Sequence, residues 1–209
     1  GENRIIFDPT IITVIVQSAL PALSDTSGGT TIYGGEGYVY LLGNLTSAGT
    51  DGLTLKSNNN LIQGLDIVDF GGNGIVITGD GNIIGSDGDG VNDGAEHNVI
   101  RENSENGILV DIGADNNRIA GNSIGVDRTG ASKPNLLNGI QLAGIGNRVG
   151  VFGDGISDNL EGNLISRNGQ DGIYVNGVSN VIAGNTILVK TRNGSNGGGG
   201  NLNMIGTNG

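Results

Sequence analysis

Of the 209 residues, 42 are Gly and 28 are Asn, so two residue types make up a third of the chain. Collagen is excluded because there is no strict three-residue Gly period and only three Pro, and the 57 Ile, Leu and Val residues argue against disorder. With 21 acidic against 10 basic residues, a net of −11, the chain lacks the basic stripe of a nucleic-acid binder.

Zero Cys removes disulfides, thiol catalysis and thiolate metal sites together. No apolar run approaches the roughly 20 residues that span a bilayer, so no membrane insertion is expected. The most apolar stretch, residues 11–16, is strand-sized. The sequence starts at Gly1 without Met and shows no signal peptide, as a processed product or an excised fragment would. With three Phe, four Tyr and no Trp, the interior must be aliphatic.

Taken in chain order, strands are expected at 4–7, 11–16, 30–33 and 38–42, with a turn-rich stretch at 24–30. From Gly52 onward a template recurs. Gly52-Leu-Thr-Leu, Gly74-Ile-Val-Ile, Gly107-Ile-Leu-Val, Gly139-Ile-Gln-Leu and Gly172-Ile-Tyr-Val each open a repeat. An Asn follows each, at Asn60, Asn82, Asn117, Asn147 and Asn180, then a second apolar pair and a third strand such as Leu65-Asp66-Ile67 or Leu164-Ile165. Apolar residues alternate within each strand, the period-two signature of half-buried β structure.

The bare repeat, Gly52 to Gly74, has 22 residues, and the others carry insertions of roughly ten residues each. The insertions fall between the second and third strands in the repeats opened by Gly74 and Gly139, and after the third strand in those opened by Gly107 and Gly172. The unit is therefore a two-rung superrepeat of 65 residues: residues 82–110 match 147–175 at 13 of 29 positions.

Three short strands per rung predict an all-β solenoid, a right-handed parallel β-helix of about seven rungs, with 1–209 as a single domain. Its inward aliphatic residues should stack in ladders. The recurrent Asn should bond its counterparts in adjacent rungs and tolerate left-handed backbone at the corner, and Gly should supply the remaining positive φ angles.

Segments such as Asn117-Arg-Ile-Ala-Gly-Asn-Ser-Ile124, Asn180-Val-Ile-Ala-Gly-Asn-Thr-Ile187 and Asn163-Leu-Ile-Ser-Arg-Asn168 resemble the rung consensus of the right-handed parallel β-helix repeat family, the pectate-lyase-like superfold. The resemblance is closest to repeat modules of large bacterial and archaeal surface proteins. It implies the fold specifically and the function weakly, since members include lyases, glycosidases, epimerases, tailspikes, adhesins and non-catalytic surface modules.

Catalytic members of this superfold are expected to carry outward side chains on consecutive rungs: a Lys or Arg base beside acidic Ca²⁺ ligands, or a carboxylate pair. The outward positions of the first strand read Thr54, Val76, Leu109, Gln141 and Tyr174, none of which takes a proton at neutral pH. Those of the second strand read Leu61, Ile83, Arg118, Arg148 and Val181, so Arg118 and Arg148 are the best basic pair, read as a solvated face or ion-pair site before an anion contact. Asp66, Asp69 and Lys56 form the one cluster that could imitate an active site, although Asp66 and Asp69 are out of strand phase. His97, the single histidine, is expected on an exposed loop without a role.

The insertions are more informative. Gly85-Ser-Asp87-Gly-Asp89-Gly-Val91-Asn-Asp93-Gly-Ala-Glu96 follows the spacing of a Ca²⁺ loop: oxygen ligands at positions 3, 5 and 9, the carbonyl of Val91 at 7 and a Glu at 12, with Gly85 in place of the Asp expected at position 1. The second, Gly150-Val-Phe152-Gly-Asp154-Gly-Ile156-Ser-Asp158-Asn-Leu-Glu161, keeps Asp154, the Ile156 carbonyl, Asp158 and Glu161 but has Phe152 at position 3. Ca²⁺ is the expected ion, against plain acidic turns inherited by duplication.

A β-helix exposes strand edges at both ends, and no amphipathic helical pattern offers a cap. The chain runs through 196–201 into 202–205, which aligns with the start of a further rung. The expected partners are therefore a second copy stacked end to end or neighbouring repeats of a longer chain, with a polysaccharide as the alternative. The sequence reads as a non-catalytic structural module of an extracellular coat, sheath, fibre or adhesin at the cell surface; the alternative is a polysaccharide-binding or -degrading β-helix.

Overall fold

The computed structural model describes residues 3–27, 29–35 and 38–188. It is a parallel β-helix with three strands per rung, wound from three all-parallel sheets of seven, seven and five strands. The first rung holds β1 (Asn3–Ile6) and β2 (Thr13–Ile15), and the second β3 (Thr30–Tyr33), β4 (Val39–Leu42) and β5 (Leu53–Leu55). Next come β6 (Leu61–Gln63), β7 (Leu65–Val68) and β8 (Ile75–Ile77), then β9 (Ile83–Gly85), β10 (Val99–Arg101) and β11 (Ile108–Val110). The fifth rung is β12 (Arg118–Ala120), β13 (Ser123–Ile124) and β14 (Ile140–Leu142). The sixth is β15 (Arg148–Gly150), β16 (Leu164–Ser166) and β17 (Ile173–Val175), with the single turn α1 (Asp158–Glu161) inserted before β16; β18 (Val181–Ala183) and β19 (Thr186–Leu188) begin a seventh. The third side of the first rung is reduced to one parallel bridge, Leu23 to Leu55.

Of the predicted N-terminal strands, 30–33 has the expected bounds, 4–7 is shifted one residue earlier, and 11–16 and 38–42 are trimmed to 13–15 and 39–42. The expected continuation at 202–205 lies outside the described residues. Three of the four insertions fall where the repeat comparison places them, with 86–98 between β9 and β10, 125–139 between β13 and β14, and 151–163 between β15 and β16; the one expected after β19 lies outside the described residues.

Register makes the core. One column pairs Ile32, Ile62, Ile84, Ile119 and Val149; a second pairs Leu41, Ile67, Ile100, Ile124 and Ile165. In the third sheet both end residues of each strand point inward, so Ile75 and Ile77 stack on Ile108 and Val110. All of these side chains are buried, and each contributes roughly 1.5–3 kcal/mol over an exposed position.

One expectation about the corners is corrected. The ladder residues Asn60, Asn82, Asn117, Asn147 and Asn180 are not left-handed; the residue before each is, with Asn59 at φ 57°, Gly81 at 65°, Asn116 at 56°, Gly146 at 67° and Ser179 at 59°. The preceding residue makes the turn, which frees the ladder Asn to point its amide inward. Glycines supply positive φ as expected, for example Gly64 at 68°, Gly121 at 69° and Gly184 at 65°, but the rung-opening glycines serve another need. A methyl at Gly74 would lie 2.7 Å from the carbonyl oxygen of Gly107 and clash with Ile100, so Gly is required by close approach between rungs.

The corners are bonded by side chains. Asn60 Nδ2 donates to Asn82 Oδ1 (2.7 Å), Asn82 to Asn117 (2.9 Å) and Asn117 to Asn147 (3.0 Å), while each Oδ1 also accepts the backbone N–H of the preceding ladder residue. A second ladder runs Asn98, Asn122, Asn163 and Asn185, and a third Asn103, Asn135 and Asn168. In a fourth the polarity is reversed: Asn138 donates to Asn106, Asn106 to Asn73, and Asn73 to Asp51. Buried amides paired in this way satisfy corner groups that would otherwise lose water without replacement.

Candidate metal centre

Both acidic insertions leave the same sheet from equivalent strand ends, β9 and β15. Gly85 and Gly150, which hold position 1 of each loop, have φ of 92° and 96°. A methyl on either would overlap the carbonyl oxygen of Ala120 or Ala183 in the next rung. Position 1 therefore belongs to the sheet, and an Asp cannot stand there; the first loop begins to offer ligands at position 3, with Asp87, and the second at position 5, with Asp154.

In the first loop one carboxylate oxygen from each of Asp87, Asp89, Asp93 and Glu96 lies within 4.8 Å of all the others. Oxygens bound to one Ca²⁺ at about 2.4 Å can be at most about 4.8 Å apart, so the cluster has the dimension of a single coordination sphere. Asp93 is 4% exposed, and neither of its carboxylate oxygens has a hydrogen-bond partner. Glu96, 7% exposed, closes the loop by accepting the N–H of Asp87 at 3.2 Å. Burial pushes its carboxyl up to about 7, with the acidic neighbours adding to the effect and the Asp87 N–H opposing it. Burial likewise raises Asp87.

The second loop repeats the closure: Glu161 Oε2 accepts the N–H of Phe152 at 2.7 Å. Asp154, Asp158 and Glu161 bring one oxygen each within the same 4.8 Å limit. Glu161 is fully buried and its Oε1 has no partner, nor has Oδ1 of Asp158. Burial raises the Glu161 carboxyl above its ordinary range, against the attraction of Arg118. Asp158 and Glu161 are the two ends of α1, a turn the sequence pattern did not suggest. Val91 and Ile156, expected to contribute carbonyls, are exposed turn residues whose N–H groups donate to Asp89 (2.7 Å) and Asp154 (2.9 Å).

The loops pack directly on each other. Gly88 of the first lies against the Phe152 ring and Glu161 Oε1 of the second, with no room for a side chain, and Gly90 faces Ile156. Phe152, which displaced the position-3 ligand, has the Arg118 guanidinium over its ring at 3.2 Å. Arg148 donates to the carbonyls of Val151 (3.1 Å) and Phe152 (2.7 Å). The arginine pair is therefore a staple holding the second loop to the sheet.

The other candidates resolve differently. Asp66 is buried in a salt bridge with Arg101 (3.0 Å), which also contacts Glu102, itself joined to Lys133 at 2.9 Å. Asp69 is exposed with φ 60°, and Lys56 sits across the solenoid among Ser24, Asp25 and Asn58, so the three are not assembled. His97 is half-buried rather than exposed. Its Nδ1 donates to Gly94 O (2.9 Å), leaving Nε2 to accept from the Tyr38 hydroxyl (3.0 Å), and burial lowers its pKa, favouring this neutral form. Arg128 lies over the Tyr38 ring at 3.2 Å. None of this was legible from spacing, since Tyr38, His97 and Arg128 come from three different rungs.

Comparison with known proteins returns no matching family model, no matching curated protein and no matching solved structure. The class is thus set by the fold alone: a three-strand parallel β-helix carrying two stacked carboxylate loops.

Proposed function

We propose that the chain is a non-catalytic structural module, a stiff length of β-helix in an extracellular coat, sheath, fibre or adhesin at the cell surface. The observation that carries this reading is the set of buried Asn ladders, which bond successive rungs at several corners at once. Such cross-links favour rigidity over motion. The outward positions fit it too: the two arginines hold a loop, and the carboxylate of Asp66 is occupied by Arg101.

The module is proposed to continue by stacking, on a second copy or on neighbouring repeats. At the N-terminal end β1 and β2 are edge strands, with Ile5 43%, Ile6 67% and Ile15 57% exposed, and Ile12 just before β2 is 67% exposed. A further rung would cover these residues and pair the free edge. Light scattering over a concentration series, with electron microscopy, tests assembly: filaments or end-to-end oligomers are expected, and monodisperse single particles at every concentration would refute self-stacking.

A second reading, polysaccharide binding or degradation, draws on the Tyr38, His97 and Arg128 cluster on the outer face. It is tested by incubating the chain with anionic polysaccharides and following ultraviolet absorbance of unsaturated products. The structural reading predicts none; turnover abolished by His97→Ala would replace it.

A further inference from the structure

We infer that the two insertions form a stacked pair of Ca²⁺ sites, one held by Asp87, Asp89, Asp93 and Glu96, the other by Asp154, Asp158 and Glu161. This goes beyond the structural reading and does not depend on whether the module self-associates.

Acidic clusters on exposed turns are common and carry no such meaning alone. The unpaired buried oxygens make the difference. Asp93 has both carboxylate oxygens out of solvent without a donor, Glu161 has one, and each of these residues contributes one carboxylate oxygen to a group that converges within 4.8 Å. Four carboxylates facing one another at that range repel unless a cation lies between them, and a buried carboxylate without a partner loses its hydration with no replacement. A hard divalent cation removes both penalties. Six to eight oxygens at 2.3–2.6 Å from turns of adjustable geometry suit Ca²⁺; Mg²⁺ requires a tighter octahedron and keeps more of its water.

The loops' contact joins the sites. Glu161 is fully buried between them: Oε2 is fixed by the Phe152 N–H, and Oε1 lies against Gly88 of the first loop. Ion binding at the second site holds Glu161 in the place where Gly88 packs, one residue from the ligand Asp87. The pair would act as a clamp between two rungs that are not adjacent in the stack, since β9 and β15 are separated by β12.

Titration calorimetry of the chelator-treated chain with CaCl₂ alone and MgCl₂ alone tests this. Two Ca²⁺ per chain are expected, with Mg²⁺ bound at least tenfold more weakly. Asp93→Asn should remove one site and Glu161→Gln the other. Asp89→Asn and Asp154→Asn, at exposed positions, should weaken the same two sites tenfold or more while leaving the circular dichroism spectrum unchanged, so a folding failure in the buried variants does not obscure the result. No heat up to about 10 mM CaCl₂, beyond the range of weak extracellular sites, overturns the inference. A single ion per chain overturns the pairing, and unchanged binding in all four variants overturns the assignment of ligands.

Discussion

Replacing Asn117 by Ala removes the middle of the first Asn ladder. Its Oδ1 accepts the Asn82 N–H (2.8 Å) and the Asn82 Nδ2 (2.9 Å), and its own Nδ2 donates to Asn147 Oδ1 (3.0 Å). Asn82 and Asn117 are both fully buried. The variant therefore strands two donors of Asn82 away from water, while Asn147 Oδ1 still accepts the Asn117 backbone N–H at 2.8 Å. At about 1–3 kcal/mol per orphaned donor, the cost is about 2–6 kcal/mol. For a chain of this size that is a fall in melting temperature of at least about 4 °C. Asn180→Ala is the control: it removes the acceptor of the Asn147 N–H and the donor to Gly144 O, both at a half-buried position that water can reach, and should cost about 1 kcal/mol or less. Urea unfolding followed by circular dichroism measures both. Equal losses below about 1 kcal/mol in the two variants would refute the view that the ladders hold the rungs together.

Three further outcomes follow from other parts of the molecule. In the ion-free chain Glu96 has its carboxyl raised to about 7 against an ordinary 4.5, so the folded state binds the extra proton between those values. Its contribution is full below about 4.5 and lost as pH rises through 7; urea titrations in chelator should show stability falling by up to about 3 kcal/mol across that window, and a rise would contradict the burial of Glu96. Gly85→Ala places a methyl onto Ala120 O at φ 92° and should lower stability by more than about 3 kcal/mol in thermal melts, whereas Gly153→Ala, with open space around it at φ 76°, should cost clearly less. Arg101→Ala strands the buried Asp66 carboxylate and should cost about 3–5 kcal/mol; Asp66→Asn combined with Arg101→Met should cost much less, and additive losses in that double-mutant cycle would deny the coupling.

The rung was legible because its corner repeats at nearly fixed distance: Gly52, Gly74, Gly107, Gly139 and Gly172 open equivalent strands, and the ladder through Asn60 to Asn180 follows. The ladder through Asn98, Asn122, Asn163 and Asn185 was not seen, because the insertions stretch its spacing to 24, 41 and 22 residues. Its signal is local instead, an Asn immediately before the third strands that begin at Val99, Ser123, Leu164 and Thr186. Likewise, Asn73, Asn106 and Asn138 each directly precede a rung-opening glycine. In the acidic loops the carboxylates at positions 3 to 12 were readable from their spacing, but Gly85 looked like a missing ligand until the Ala120 carbonyl beneath it showed that no side chain fits. The function of Arg118 and Arg148 was hidden for a related reason. Their partners, the Phe152 ring and the carbonyls of Val151 and Phe152, depend on how the loop folds back over the sheet.

A rigid solenoid requires the corners of its rungs to be held as firmly as the strands. Native-state hydrogen exchange of the corner amides measures this directly. The N–H groups of Asn60, Asn82 and Asn117 donate to side chains of the next ladder residue at 2.8–2.9 Å, outside any strand. They should exchange as slowly as the core amides of β8 and β11, through global unfolding alone. Exchange at the rate of exposed loop amides would show that the ladders open freely, and the reading of this chain as a rigid module would fall with them.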